Sequence, residues 1–370
     1  MRAKEQVLKF LKSDLGFVIT VFLIWRIFMF AFGYWSSITF ETIYRDGAIE
    51  QNFWNIWGMW DGGHYLNLAA NGYYAEFITA FFPLYSFLIR ILSYLPGVNT
   101  VLAGIFVSSA ATVVAGFWLI KLVKLDYSEK AAKLSFIYLL LFPSAVALAS
   151  IYTEPLFLMT TIGAFYFARK KNWLLVLILG FAAGLTRNLG CFLVLPLLYE
   201  YFKRYKFKIR WPIIAVGAPG FALFSYMAFL WYKFGDPFLF IKIQAEWGRR
   251  IIFNIFERFY LAIVEFLRFD EFMRGFELGS VIFMIIMIIL MIKKKIRPSY
   301  ILWSSILIII PVMQSHWLSM NRFVLVIFPV FITLGLIMQK HKYLNAILLG
   351  LFAGLLAIQT SIFVNLIYSI

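Results

Sequence analysis

Leu15-Gly16-Phe17-Val18-Ile19-Thr20-Val21-Phe22-Leu23-Ile24-Trp25-Arg26-Ile27-Phe28-Met29-Phe30-Ala31-Phe32-Gly33-Tyr34-Trp35 carries a single charge, Arg26. A run of this length matches the roughly 20 apolar residues that cross a hydrocarbon core. It follows Met1–Asp14 without a small-residue cleavage pattern, so it reads as a retained first span. Comparable runs recur at 100–120, 131–148, 153–169, 172–187, 189–202, 211–232, 277–292, 299–316, 321–338 and 343–367. The composition agrees: 63% of the 370 residues are hydrophobic and 14% charged. No single water-soluble core hides that much apolar surface. The expected fold is an all-α integral membrane bundle of about 11 spans, one polytopic unit over 1–370. The lone cysteine, Cys191, excludes an internal disulfide and a cysteine-rich metal site.

The basic residues set an expected orientation. The net charge of +16 comes from 34 basic residues against 18 acidic ones. Most basic residues fall in six clusters: Arg2/Lys4/Lys9/Lys12, Lys121/Lys124/Lys130/Lys133, Arg169/Lys170/Lys171, Lys203 to Arg210, Lys293 to Arg297, and Lys340/Lys342. On a polytopic chain such clusters mark the cytoplasmic side rather than a nucleic-acid surface. All six share one side only if the further apolar run 78–95 does not cross. That run contains Pro83, Arg90 and Pro96, which suits an interfacial or re-entrant helix. The N-terminus is then cytoplasmic and the C-terminus outside. The outer side receives loops 36–99 and 233–276, which form a cap over the active site. Most acidic residues gather there, including Glu41, Asp46, Glu50, Asp61, Glu154 and Asp270-Glu271, together with Arg45, Arg187, Arg249, Arg250 and Arg322.

The first outer loop concentrates unusual chemistry. Trp54, Trp57 and Trp60 precede Asp61, and Gly62-Gly63 separate it from His64-Tyr65. If the stretch is helical, Asp61 and His64 lie three apart on one face. A carboxylate among indoles at an interface suits a general base. The same residues equally suit an acid capping a short amphipathic helix, with the tryptophans as an interfacial belt. Glu154-Pro155 starts a span, where an acid favours the helix dipole; it also fits a second acid facing the same cavity as Asp61. Arg187, before Asn188 in a turn between short spans, needs a partner or must reach for the surface. Gln244, Trp247, Arg249 and Arg322 complete the outer polar set. Arginine forks match phosphate oxygens, and an anionic lipid headgroup on each arginine is the simplest alternative.

These motifs, taken in order, resemble the PIG-V family, the second mannosyltransferase of glycosylphosphatidylinositol anchor synthesis and its microbial relatives. The resemblance rests on Trp60-Asp61-x-x-His64-Tyr65 with Leu68-Ala69-x-x-Gly72-Tyr73, and on Ala80-Phe81-Phe82-Pro83-Leu84-Tyr85. Pro143-Ser144-Ala145, Tyr152-Thr153-Glu154-Pro155-Leu156-Phe157 and Gly184-Leu185-Thr186-Arg187-Asn188-Leu189-Gly190 follow. Gly235-Asp236-Pro237, Gln244-x-x-Trp247-Gly248-Arg249 and Arg322-Phe323 before Phe328-Pro329 close the series. Pro155 stands where the family often has serine, and Leu189 is inserted near the turn.

The resemblance implies the GT-C glycosyltransferase fold and an inverting transfer of mannose. The donor would be a polyprenyl-phosphate sugar and the acceptor a glycolipid or other glycan, with the active site on the extracytoplasmic face. Asp61 would be the catalytic base, Arg322, Arg249 and Arg187 would bind the donor phosphate, and His64, Tyr65, Glu154, Asn188, Gln244 and Trp247 would contact substrate. No metal or other cofactor is expected, and Asp270-Glu271 is adjacent rather than spaced as Asp-x-Asp. The rival function is a membrane transporter or flippase of a lipid-linked sugar. It calls for polar residues near the midplane, whereas few charges beyond Arg26 fall inside the apolar runs.

Overall fold

Why the helices start and stop where they do is legible at their ends. A computed structural model describes residues 10–11, 13–40, 52–267 and 272–365. The cluster Arg2/Lys4/Lys9/Lys12, the loop residues Glu41, Arg45, Asp46 and Glu50, and Asp270-Glu271 lie outside them. Helix α1, Asp14–Thr39, is opened by Ser13, whose side chain accepts from Gly16 N. The first outer loop holds α2, Asp61–Asn71, and α3, Pro83–Ser93, with proline in its first turn. Asn99 caps α4, Thr100–Val123, and Ser128 caps α5, Glu129–Leu141. A break at Phe142-Pro143 leads to the single turn α6, Val146–Ala149. Then come α7, Glu154–Arg169; α8, Trp173–Thr186; α9, Val194–Tyr205; and α10, Pro212–Phe234. The second outer region carries α11, Leu239–Glu246, and α12, Ile255–Leu267. The chain ends with α13, Phe272–Lys293; α14, Pro298–Val312; α15, Met320–Leu325; α16, Phe328–Met338; and α17, Lys342–Val364. Among the described residues there is no β-strand, only an isolated bridge between Ile251 and Gln314.

Among the described residues five helices are long and apolar enough to cross a membrane: α1, α4, α10, the Gly275–Lys293 part of α13, and α17. A sixth appears if α5 and the turns through Ala149, bent by 71°, count as one span. The chain is thus an all-α membrane protein, and of the expected total of about 11 spans these helices account for five or six by length and composition. The run 321–338 is two helices, because Pro329 cannot donate to a continuing α15 and restarts the chain as α16. The run 189–202 begins as a 3-10 turn, Asn188–Leu193. Helix α14 has 15 residues and reaches about 22 Å at 1.5 Å per residue, short of a hydrocarbon core of about 30 Å. By the same measure α3, with 11 residues, is too short to cross.

Helices approach closely where side chains are absent. A Cβ on Gly184 in α8 would lie 2.5 Å from the Pro219 carbonyl oxygen of α10. One on Gly104 in α4 would lie 2.7 Å from the Ile151 side chain. Without a hydrophobic drive between helices in lipid, such packing carries much of the association.

Charged residues collect at the two ends of the bundle. At one end, Lys121 and Lys124 bind Asp14, Arg169 grips Asp126 with both terminal nitrogens, and Arg297 grips Glu200. Four of the basic clusters meet in this neighbourhood. Burial pushes the Asp126 carboxyl up, but the Arg169 hydrogen bond and charge outweigh it and hold the group below the usual carboxylate range. The loop residues around Asp61 gather at the other end.

Candidate active site

Two segments distant in sequence are clipped together by one backbone bond. Ile151 N donates to the Trp57 carbonyl at 2.8 Å. Four residues after Trp57 comes Asp61, and three after Ile151 comes Glu154. Trp57 is fully buried against Gly33 of α1, where a Cβ would sit 2.6 Å from its ring. The tryptophans are therefore not a uniform belt: Trp57 is a core residue, Trp60 is half-buried with its indole N–H directed to Phe363 O at 3.3 Å, and Trp54 is exposed.

The backbone is strained next to the charges. Trp60 has φ 58° and ψ −126°, a region that favours glycine, and the next residue opens α2 with its carboxylate. Ser319, before α15, has φ 65°, and its N–H donates to Glu277 Oε1 at 3.1 Å. Gly248, before Arg249, has φ 82°.

The charges form a chain. Asp61 Oδ2 accepts from Arg322 Nη2 at 2.9 Å, and Arg322 Nε donates to Glu154 Oε1 at 2.9 Å. The same Glu154 oxygen takes Arg187 Nη1 at 2.8 Å, and Arg187 also donates to Thr153 Oγ1 at 3.2 Å. The Tyr152 ring backs the Arg322 guanidinium at 4.4 Å. Arg187 is thus held inside by an acid rather than reaching outward.

A cavity of about 330 Å³ opens over this chain. Asp61, whose side chain is 39% exposed, His64, Tyr65, Arg187, Asn188, Gln244, Trp247, Arg249 and Arg322 all line it. Glu154 does not. Its side chain is 0% exposed, sealed behind Arg187 and Arg322, so it does not face the cavity beside Asp61 as expected. The reason is its place in the first turn of α7, where two guanidiniums converge on it. Among the described residues the Arg249 side chain has no hydrogen-bond or ion-pair partner, which leaves a cation facing the cavity. Burial pushes Arg249 below its ordinary value, Asp61 opposes that, and Arg322 and Arg187 add to it. Burial, then Asp61, push the Tyr65 phenol up to about 12, so it stays neutral, and its hydroxyl shares a hydrogen bond with Thr153 Oγ1 at 3.4 Å in which either oxygen can donate.

Sequence reasoning passed over several wall residues. Phe81 stacks on His64 at 4.8 Å between ring centres and meets Trp247 at 5.7 Å, giving an aromatic wall. Gln314 and Ser319 also line the cavity. Ser315 N donates to Arg250 O at 2.7 Å and Ile252 N to Met313 O at 2.7 Å, so the strap carrying Arg249 is fastened to the end of α14. The polar run Gln314-Ser315-His316 after the apolar α14 was the available signal. Among the described residues no three His, Cys, Asp or Glu side chains group as metal ligands do.

The sequence profile of the family described as Mannosyltransferase (PIG-V) matches residues 28–210. The chain belongs to the PIG-V-like mannosyltransferases. No curated protein matches the chain. The matched segment of this mannosyltransferase family member contains Asp61, His64, Tyr65, Glu154, Arg187 and Asn188. Gln244, Trp247, Arg249 and Arg322 come from beyond it and meet those residues in space. Family membership makes the chain a glycosyltransferase enzyme that moves a mannosyl group between a donor and an acceptor.

Proposed function

We propose that this protein is an inverting GT-C-type mannosyltransferase using a polyprenyl-phosphate mannose donor, with Asp61 as the general base. The observation that carries the reading is the cavity where Asp61, Arg322, Arg187 and Arg249 face one space. Three guanidiniums against the carboxylates of Asp61 and Glu154 leave one net positive charge. That balance suits the single negative charge of a sugar–lipid phosphodiester and would leave a diphosphate donor only half neutralised.

The charge stays matched through the reaction. The acceptor hydroxyl attacks the anomeric carbon, the bond from that carbon to the phosphate oxygen breaks, and the hydroxyl proton passes to Asp61. The leaving lipid phosphate gains a second negative charge as Asp61 becomes neutral. Arg322 touches Asp61 now; losing that charged partner, it turns its pairing to the phosphate. Arg249 and Arg187 stabilise the same developing charge in a partly closed site. Glu154 positions Arg187 and Arg322 and does not touch sugar. His64, Tyr65, Asn188, Gln244 and Trp247 bind sugar hydroxyls and ring faces, with Phe81 in the wall.

The distribution of basic clusters supports a cytoplasmic N-terminus and, with it, an extracytoplasmic cavity capped by loops 36–99 and 233–276. The acceptor is a glycolipid or another glycan exposed there. The test is transfer of radiolabelled mannose from polyprenyl phosphate by the purified protein in nanodiscs, across a panel of glycolipid acceptors. Product bearing an inverted linkage supports the reading, and absence of product with every acceptor refutes it.

A further inference from the structure

The middle of α1 carries a cation that the transfer reaction leaves unused. Arg26 lies halfway along a helix long and apolar enough to cross a membrane, and it is 6% exposed. An arginine at such a depth is costly, and its place there points to a function. Among the described residues no carboxylate pairs with it; its partners are neutral. Nη1 donates to Ala149 O at 2.6 Å and Nη2 donates to Ser109 Oγ at 2.9 Å. The Phe30 ring lies 4.3 Å from the guanidinium carbon. Ser109 donates its own proton to Ile105 O, within α4.

These contacts lead to the site. Ala149 ends α6, and the chain leaves the helix there. Ser150 N still reaches back to Val146 O, but Ile151 N crosses to Trp57 O at 2.8 Å. The Ala149 carbonyl is one of the last of its helix, where no following N–H arrives, and Arg26 supplies the donor. Phe30, one turn along α1 from Arg26, packs on Trp57 with ring centres 5.1 Å apart. The contacts close a circuit: from Arg26 to Ala149, along the chain to Ile151, across to Trp57, and through Phe30 back to Arg26. Glu154 lies five residues beyond Ala149, and Asp61 four beyond Trp57. The circuit therefore joins the two segments that carry the acids. The Ile151 side chain already fills the space left by Gly104 of α4, where a Cβ would sit 2.7 Å from it, so the chain has no slack on that side.

We propose that Arg26 is a positioning residue for the transfer: by holding Ala149 O it sets the distance between Asp61 and the arginines gathered on Glu154. The proposal rests on the reading of Asp61 as base. Arg26 does not line the cavity and touches no substrate. A misplacement of about 1 Å between reacting groups lowers a rate by about 10²-fold. Arg187 and Arg322 stay bound to Glu154 whatever its distance from Asp61. The loss therefore falls on turnover and not on donor affinity.

Arg26→Met keeps an apolar stem and removes the charge and both donors. Removing a buried charge that has no acid beside it offsets the lost hydrogen bonds, so the thermal midpoint in detergent stays close to wild type. In nanodiscs, kcat per site, with sites counted by labelled polyprenyl phosphate, falls about 100-fold while the donor KM holds. Hydrogen exchange of peptides containing the Ile151 amide quickens. Arg26→Lys keeps a donor for Ala149 O and restores most of the turnover and the slow exchange. Wild-type kcat in Arg26→Met, or a donor KM that rises in step with the loss of kcat, overturns the proposal. A variant that unfolds, or melts far below wild type, makes Arg26 a support of the fold and overturns it too. Quickened Ile151 exchange in Arg26→Met, reversed in Arg26→Lys, sustains the clamp even where the protein transfers no mannose and the catalytic reading fails. Mannose transfer by the wild type with unchanged exchange and turnover in Arg26→Met leaves the catalytic reading standing while the clamp fails.

Discussion

Replacing Asp61 by asparagine splits two roles that the ion pair with Arg322 combines. The carboxylate is the proposed proton acceptor, and it also competes with a donor phosphate for Arg322 Nη2, 2.9 Å away. Asparagine keeps the shape and can still accept from Arg322, but it carries no charge and takes up no proton. Loss of a general base lowers turnover by roughly 10²- to 10⁴-fold. The effect on binding has the opposite sign. The Asp61 side chain is 39% exposed and that of Arg322 is 9% exposed, so the pair is partly screened. A pair of that kind is worth about 1 kcal/mol, and freeing Arg322 from it tightens lipid-phosphate binding by about fivefold. The assay pairs mannose transfer with displacement of a labelled polyprenyl phosphate from protein in nanodiscs. Turnover close to wild type would end the assignment of Asp61 as base. Binding that weakens along with turnover would show that Asp61 holds Arg322 in place instead of competing for it, and the charge-exchange argument would fail.

Arg249→Ala weakens polyprenyl-phosphate binding by about tenfold or more, the scale of a lost hydrogen bond to a charged group, and leaves the thermal midpoint close to wild type because no protein partner is lost; an unchanged affinity in the displacement assay contradicts its phosphate role. Glu154→Gln removes the charge that holds Arg187 and Arg322. Breaking a buried pair of this kind costs about 3–5 kcal/mol, so the variant melts well below wild type in detergent, and an unchanged midpoint speaks against the clamp. Asp126, held below the usual carboxylate range by Arg169, contributes stability that is present above the ordinary carboxylate pKa and lost as pH falls through the depressed value. The thermal midpoint therefore drops on acidification below about pH 4 in wild type, and the slope flattens in Asp126→Asn; parallel curves refute the linkage.

Much of the site was legible in the chain because its residues are chemically costly in a bilayer. Arg187, Arg249 and Arg322 stand out against apolar neighbours, and an intramembrane or surface arginine needs a purpose. The helix ends were equally readable where Ser13, Asn99 and Ser128 cap and Pro83, Pro212 and Pro298 start helices. The interruptions within apolar runs were not, since hydropathy does not see the break at Phe142-Pro143 or the restart at Phe328-Pro329. Nor does spacing reveal which acid is sealed. Glu154 and Asp61 read alike as outer acids, and only the approach of Arg187 and Arg322 from other helices turns one into a buried anchor and leaves the other open. Gln314 was hidden for a similar reason: its role depends on a strap more than sixty residues earlier in the chain.

The backbone supplies the reason the charges can stay close together without collapsing into fully closed pairs. Trp60, Gly248 and Ser319 all have positive φ, and each lies within three residues of a charged group of the cavity. For Trp60 and Ser319 that conformation costs on the order of 1–3 kcal/mol each. A relaxed chain at either place would aim its acid or its cation elsewhere. The strain is carried by rigid surroundings: Trp57 wedged against Gly33, Ile151 bonded to the Trp57 carbonyl, and the Ser319 N–H bonded to Glu277. Glu154 then fixes Arg322 at Nε while Nη2 meets Asp61, so the guanidinium is anchored on one edge and exchangeable on the other. An arginine anchored in this way can give up a carboxylate for a phosphate without moving its backbone, which is what a base that loses its charge during the reaction requires of its neighbour.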